Sequence, residues 1–289
     1  MKKKLAAGIF AAVFFTMFAT VTVWAEKSTV LEQVIYDENN IKVSVSEASL
    51  DAEQNIVIPL HIENNTDEKM GLIAENCYIN GCKVEANSLF FDRAEPGGET
   101  DGLLAVSKQE CDGYGIDRVA DVECGLRFYE DKTYDDIAVV DNISIKTDIS
   151  GSYEQEIGGG GIVLYDDKGV KIIEKGIVKN SVMGLTPRFC VVNDTEQDID
   201  VRCRNVEVNG KECKTANISC EGIPAGKSEI VKMYFLGKNA GINELSVSFR
   251  VFQKDNDSRV ICKTDDFVIG YGGADKKIKN CLHFLKNKV

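Results

Sequence analysis

The chain has 289 residues, a length that suits two domains of ordinary size. Hydrophobic residues make up 44% and charged residues 28%, which is a globular composition and excludes a disordered or collagen-like chain. The 46 acidic residues against 34 basic ones give a net charge of −12, so we expect no nucleic-acid partner, because a phosphate backbone would be repelled.

The first 25 residues have the pattern of a signal peptide. Three lysines follow Met1, an apolar run extends from Leu5 to Val23, and Val23 and Ala25 supply the small side chains that a signal peptidase accepts. We predict cleavage after Ala25 and a secreted or envelope-associated protein. The segment removes three lysines and no acid, so the net charge changes from −12 to −15. The alternative is an uncleaved anchor, because about 19 apolar residues nearly span a bilayer.

A sequence segment recurs in the mature chain at a separation of 129 residues. The matches are Val34 to Asp37 with Val163 to Asp166, Ile41 to Val43 with Val170 to Ile172, Asn64 to Asp67 with Asn193 to Glu196, and Asn80-Gly81 with Asn209-Gly210. Later matches, at slightly shorter separations, align Pro96 with Pro224 and Phe128 with Phe252. We predict one domain at 26–149, a flexible glycine-rich linker at 150–161 and a second domain at 162–270.

Both copies have the periodicity of β-strands. Ile56, Ile58, Leu60 and Ile62 alternate with more polar residues, which places them on one face of a strand. Each Asn-Gly pair stands between apolar runs and predicts a type I′ hairpin turn. Neither copy shows a long helix pattern. The sequence therefore predicts an all-β protein of two tandem immunoglobulin-like antiparallel β-sandwich domains, with seven or eight strands each.

The shared motifs, among them Ile79-Asn80-Gly81 and Val208-Asn209-Gly210, resemble those of an uncharacterised immunoglobulin-like repeat found in exported proteins of Firmicutes. The resemblance covers nearly all of the mature chain and rests on turn and core residues. It implies a surface or secreted module without an assigned catalytic site. No functional residue is carried over by it.

Ten cysteines in an exported chain would ordinarily indicate disulfides, but their positions differ between the copies. Cys77 aligns with Val206, and Cys190 aligns with His61. A bridge that the fold requires should recur in both copies, so we expect most cysteines to be free thiols or small core residues. Two or more real bridges are the alternative. The local candidate is Cys77 with Cys82, diagonal neighbours in a hairpin at the limit of bridging distance.

Few residues suit catalysis or metal binding. Of the two histidines, His61 lies on the outward side of a predicted strand, where an exposed polar residue is expected rather than a catalytic base. Cys-x-x-Cys pairs are absent, which argues against zinc. Acidic pairs such as Asp135-Asp136 and Asp265-Asp266 predict solvated turns, with calcium binding as the alternative. We predict no catalytic residue, no metal and no cofactor, and the sequence assigns no binding residue.

The last segment, 271–289, is basic on an otherwise acidic protein. Ile278, Cys281, Leu282 and Leu285 have helical spacing with lysines around them, which predicts a short amphipathic helix. Such a helix either folds back onto its own domain or makes weak contact with an anionic envelope.

Together these patterns predict an exported, non-catalytic protein that binds a protein or glycan, or acts as a spacer, at the cell surface. One alternative is a secreted carbohydrate-active hydrolase that uses paired carboxylates. Another is a receptor or inhibitor whose loop-tip tyrosines, Tyr114 and Tyr134, contact the partner.

Overall fold

The computed structural model describes residues 32–46, 48–90, 93–157, 160–180, 184–213, 216–220, 222–235, 241–271 and 278–279. The described chain consists of β-strands and one short helix, so the predicted all-β class is confirmed. The described part contains no helix with the length and hydrophobicity of a membrane span. The predicted signal peptide at 1–25 lies outside the described residues.

We refer to residues 32–157 as the first half and to the chain from residue 160 onward as the second half. The elements of the first half are β1 (Gln33–Glu38), β2 (Ile41–Val45), β3 (Ser49–Leu50), β4 (Ile56–Asn64), β5 (Met70–Ile79), β6 (Cys82–Lys83), β7 (Ala86–Phe90), β8 (Gly98–Val106), α1 (Lys108–Tyr114), β9 (Asp121–Glu130) and β10 (Asp136–Lys146). Those of the second half are β11 (Ile162–Asp167), β12 (Val170–Asn180), β13 (Gly184–Asn193), β14 (Ile199–Val208), β15 (Lys211–Glu212), β16 (Ala216–Ser219), β17 (Ser228–Phe235), β18 (Glu244–Gln253), β19 (Asn256–Lys263), β20 (Phe267–Gly270) and β21 (Ile278–Lys279).

The strands form three sheets. The first has the order β1-β2-β4-β8-β7, with β3 beside β4, and the third has the order β15-β14-β18-β20-β21, with β19 beside β18. A nine-stranded sheet between them has the order β10-β9-β5-β6-β17-β13-β12-β11, with β16 beside β17. This sheet passes from one half to the other where β6 and β17 pair in parallel at Cys82 and Ser228.

The same strand path occurs in both halves. The order β1-β2-β4-β8-β7 corresponds to β11-β12-β13-β17-β16, and β9-β5-β6 corresponds to β18-β14-β15. Each half has its own hydrophobic cluster, to which strands of both of its sheets contribute. In β4 the buried side chains alternate strictly with half-buried ones, as the sequence predicts.

The two Asn-Gly turns have matching geometry. Asn80 and Gly81 have φ angles of 50° and 76°, and Asn209 and Gly210 have 52° and 73°, the two positive values that a type I′ turn requires. The side-chain amide of Asn80 donates to the carbonyl of Arg118 over 2.7 Å, and that of Asn209 donates to Gly241 over 3.0 Å. Each asparagine thus connects its hairpin to the loop before β9 or, in the second half, before β18.

A buried asparagine stands at the end of β4 and again at the end of β13. Asn64 and Asn193 are fully buried, and each accepts hydrogen bonds from the amide and the hydroxyl of the threonine two residues later. Asn64 donates to the carbonyl of Ala94 over 3.0 Å, and Asn193 donates to that of Ile223 over 2.9 Å. The recurring Asn-x-Thr motif therefore satisfies the backbone of a tight loop in both halves.

Two of the later sequence matches are wrong by one residue. Gly98 donates to the carbonyl of Glu95, and Lys227 donates to that of Pro224, so Pro224 corresponds to Glu95 rather than to Pro96. Met70 pairs with Glu130 and Ile199 pairs with Gln253, which makes Tyr129 rather than Phe128 the counterpart of Phe252. The separation stays at 129 residues until the first half gains six residues near α1. The sequence comparison matched the nearest identical proline and phenylalanine, whereas hydrogen bonds and strand pairs define the structural counterparts.

The structure describes most of the predicted linker and three residues of the basic last segment, Tyr271, Ile278 and Lys279. Residues 150–157 of the predicted linker pack on the rest of the first half: Gln155 accepts from the Asn80 amide over 3.0 Å, and Ile157 packs on the first cluster. In the tail, Ile278 and Lys279 form β21 against β20 rather than a helix, which corrects the prediction at these two residues. The remainder of the predicted helix, with Cys281, Leu282 and Leu285, lies outside the described residues.

Candidate functional site

The outer side of the first sheet carries a row of polar side chains. Ser44 on β2, His61 on β4 and Asp101 on β8 are direct cross-strand partners, and we call them the histidine row. They occupy the half-buried or exposed positions of their strands, whose alternate residues enter the core. The alternation in the sequence predicted this outward position for His61.

His61 is held by carboxylates of β8. Its Nδ1 lies 2.8 Å from Oδ1 of Asp101, and its Nε2 lies 3.7 Å from Oε2 of Glu99. Ser44 lies on β2, the opposite neighbour of β4. A Ser-His-Asp triad requires the second ring nitrogen to face the serine, but here it faces a second carboxylate. The histidine row and Glu99 therefore present a fixed imidazole and two carboxylates to solvent. Ser44 and His61 do not form a nucleophile–base pair.

A shallow pocket of about 450 Å³ opens beside the histidine row. Pro59 and Leu103 give it apolar walls, and Ser46 and His61 give it polar ones. Its size is within the usual range for a small-molecule site, and mixed walls of this kind suit a sugar ring or a side chain of a partner protein.

The carboxylates beside the pocket are open to water. The side chains of Glu99 and Asp101 are 69% and 81% exposed. The counterparts of these two acids in the second half are Ser228 and Ile230, so the acid pair occurs in one half only. A glycosidase general acid is typically a buried carboxyl group, and neither of these carboxylates is buried.

The equivalent row in the second half is apolar. Ile173 on β12, Cys190 on β13 and Ile230 on β17 are also direct cross-strand partners, and we call them the cysteine row. Ile173 and Cys190 are fully buried, and all three pack against the hydrophobic cluster of the first half. The same side of corresponding strands is thus polar and partly exposed in one half and apolar and covered in the other.

Helix α1 covers the cysteine row. Tyr114, at its last turn, is 1% exposed, and its hydroxyl accepts a hydrogen bond of 2.7 Å from the backbone amide of Ile230. Burial raises the pKa of Tyr114 well above its usual value. A Cβ atom on Gly113 would lie 2.8 Å from Cδ1 of Ile230, so glycine permits the close approach. The prediction that Tyr114 is an exposed loop-tip anchor is wrong, because the residue forms part of this contact.

Helix α1 was missed by the sequence interpretation, although its ends carry a signal. The Ser107 side chain accepts from the amide of Glu110 and caps the first turn, and Gly115 ends the helix with a φ of 76°. A serine followed three residues later by glutamate, with glycine one turn beyond, is a recognised start and stop pattern. Seven residues are too few to show a helical period in hydrophobicity.

Ion pairs surround the contact between the halves. Lys83 pairs with Glu229 over 3.2 Å, Lys232 with Glu85 over 2.6 Å, and Lys227 with Glu123 over 2.6 Å. The ammonium of Lys227 also lies 5.3 Å from the ring centre of Tyr78. Burial, followed by the charge of Glu229, raises the pKa of Tyr78 to about 12. Charged side chains of opposite sign therefore complement one another around an apolar centre.

Tyr134, the other predicted anchor, is exposed. Its side chain is 62% accessible, and its ring stacks on that of Tyr129 at 5.5 Å. Tyr129 in turn lies under the guanidinium of Arg93, 5.1 Å from the ring centre. This stack lies on the nine-stranded sheet, away from the histidine row on the first sheet.

The acidic turns have partners within the chain. Asp166 pairs with Lys171 over 3.2 Å, and Asp266 accepts from the amide of Asn205 over 3.0 Å. In the described part of the chain, no three histidine, cysteine, aspartate or glutamate side chains are grouped to hold a metal ion.

The nine described cysteines are unbridged thiols. Cys77 and Cys82 lie in the predicted hairpin, where Cys77 accepts from the amide of Val84 and Cys82 is opposite Ile79. Both are buried, and Cys77 lies across from Cys124 on the neighbouring strand β9.

No family model and no curated protein matches the chain. Among solved structures, the crystal structure of the conserved domain protein from Bacillus anthracis matches at 11% sequence identity, covering 86% of this chain and 93% of that chain, with a TM-score of 0.28. A similarity at this level carries no argument about fold or function.

Proposed function

We propose that this chain is an exported, non-catalytic protein of two immunoglobulin-like β-sandwich domains, copies of one ancestral module, and that it presents the outer face of its first domain to a protein or glycan at the cell surface. The observation that carries the proposal is the contrast between the two equivalent rows. The cysteine row is covered within the chain, whereas the histidine row is open and stands beside a pocket.

Matching contacts support the duplication. The strand path recurs in both halves, and the Asn-Gly turns and the buried asparagines Asn64 and Asn193 recur at the same separation of 129 residues. Two sheets that share one hydrophobic cluster in each half are the arrangement of a β-sandwich, and short antiparallel strands are typical of the immunoglobulin-like type. Duplicated architecture explains these residues without a catalytic role for any of them.

The contact between the halves supports a spacer with a fixed shape. A shared sheet, a buried tyrosine and three lysine–glutamate pairs hold the first half against the second. Domains joined only by a flexible linker would change their relative orientation freely, whereas an apolar contact of this kind fixes it. A fixed orientation keeps the position of the histidine row constant relative to the second domain.

The chemistry of the histidine row supports binding rather than hydrolysis. An imidazole, exposed carboxylates and small hydroxyls offer donors and acceptors around the apolar walls of the pocket, as a recognition site requires. The hydrolase alternative rests on Glu99 and Asp101, an acid pair found in one half only. Their exposure to water argues against the general-acid role.

A glycan array and capture from culture medium test the proposal with three proteins: the wild-type chain, a double variant with His61→Ala and Asp101→Ala, and a control with Arg202→Ala. Arg202 lies in the second half and is exposed. We expect the wild type and the control to retain the same ligand and the double variant to lose at least about tenfold in affinity.

Absence of any retained ligand, together with turnover of a glycoside that Glu99→Gln abolishes, would contradict the binding role and support the hydrolase. Equal retention by all three proteins would place the binding surface elsewhere.

A further inference from the structure

The antiparallel pairing of β5 with β9 contains one β-bulge. Glu75 pairs with Gly125 and Tyr78 pairs with Glu123, so Asn76 and Cys77 together face the single residue Cys124. Asn76 has a φ of 50° and points to solvent, whereas Cys77 and Cys124 are buried, at 3% and 2% exposure. The bulge therefore directs both thiols into the same side of the sheet.

The second half has the same bulge without cysteines. Arg204 pairs with Ser248 and Glu207 pairs with Ser246, and Asn205 has the same φ of 50°. The residues that correspond to Cys77 and Cys124 are Val206 and Val247, both buried. Valine therefore satisfies the packing at both positions in the second half, whereas both positions are cysteine in the first half.

The two side chains face each other across the strand pair, and both belong to the hydrophobic cluster of the first half. A hydrogen bond to the Cys77 sulfur, followed by burial, raises the pKa of Cys124. Opposed residues of neighbouring antiparallel strands have Cα atoms about 4.5 to 5.5 Å apart, which is within the range that a disulfide spans. By contrast, Cys77 and Cys82 are diagonal neighbours, so Cys124 rather than Cys82 lies opposite Cys77.

We propose that Cys77 and Cys124 form a disulfide that locks β5 to β9 in the first half. A low-molecular-weight disulfide such as oxidised glutathione serves as the oxidant. One cysteine thiolate attacks it and releases one glutathione thiol; the second thiolate then displaces the other glutathione and closes the protein bond. The protein loses two protons and two electrons, and the oxidant leaves as two thiols. The buried site requires this to occur during folding.

The disulfide stabilises the first half, which contacts the second half. Strands β5 and β9 belong to the sheet that continues through β6 into the second half, and the loop that the bridge closes includes α1. A bridge that closes a long loop restricts the unfolded chain strongly. The fold does not require it, since the valine pair serves in the second half.

Peptide mapping of the full chain tests the proposal. The purified chain is unfolded, refolded in a mixture of reduced and oxidised glutathione, denatured with an alkylating reagent and digested. We expect the peptides of Cys77 and Cys124 to be joined and Cys262, whose thiol contacts Tyr165 rather than another cysteine, to be alkylated. Alkylation of both Cys77 and Cys124, or a bridge from either to a third cysteine, would overturn the proposal.

A double variant, Cys77→Val with Cys124→Val, is the matched control, because it copies the second half. Reductant should lower the melting temperature of the oxidised wild type by roughly 5 to 10 °C and leave that of the double variant unchanged. An equal response of both proteins to reductant would refute the lock. Neither measurement depends on export or on a partner, so the result is independent of the proposed function.

Discussion

The outer faces of the first sheet and of its counterpart in the second half differ in chemistry because they differ in what lies over them. Ser44, His61 and Asp101 are half-buried or exposed, and the equivalent Ile173, Cys190 and Ile230 are covered by the first half. The same strand arrangement therefore accommodates a polar or an apolar outer face, because the core of each half packs on the opposite face of the sheet.

The largest expected effect comes from introducing aspartate on the covered face and comparing it with aspartate on the open face. Ile173→Asp places a carboxylate in the apolar contact between the halves and should reduce the free energy of unfolding by about 3 to 5 kcal/mol. Ser44→Asp, at the equivalent open position, should change it by about 0.5 kcal/mol or less. Urea unfolding of both variants measures the difference. A loss below about 1 kcal/mol for Ile173→Asp would show that the face is not covered.

The sequence contained a sign of the covered face. Strand β4 alternates, as one-sided burial requires, but the counterpart segment Phe189 to Val192 is continuously apolar, which is the pattern of a strand buried on both sides. The recurring segments match at inward residues, which serve the core of each half. The differences between the segments, such as His61 against Cys190, indicate how the halves pack.

Strands and turns could be predicted because their signals are local. Alternation and the Asn-Gly pairs depend on residues close in the chain, and the structure has both where they were expected. The candidate site depends on three strands brought side by side, so the partnership of His61 with Asp101 could not be read from residues 40 positions apart. Helix α1 was too short for periodicity, and its caps were the available signal.

A smaller effect is expected from the hydrogen bond at the centre of the contact. Tyr114→Phe removes the acceptor of the Ile230 amide and leaves that buried donor without a partner, which should cost about 1 to 3 kcal/mol of unfolding free energy. Tyr134→Phe is the control, because the Tyr134 side chain is 62% exposed and should lose about 0.5 kcal/mol or less. Equal stability of the two variants would place Tyr114 outside the contact and weaken the comparison of the faces.

The smallest effect is a dependence of stability on alkaline pH, which the covered face should show through Cys190. Burial raises the pKa of this thiol from 9.0 to about 12. Between these values the unfolded chain has lost the proton that the folded chain keeps, so stability falls as the pH rises. The contribution of Cys190 should decrease by roughly 1 kcal/mol from pH 8 to pH 10. Cys190→Ala has no thiol to ionise, so its stability should fall by that much less over the same interval, whatever its loss at pH 8. Parallel pH profiles of the wild type and the variant would mean that the thiol ionises as easily in the folded chain as in water, which a covered row does not allow.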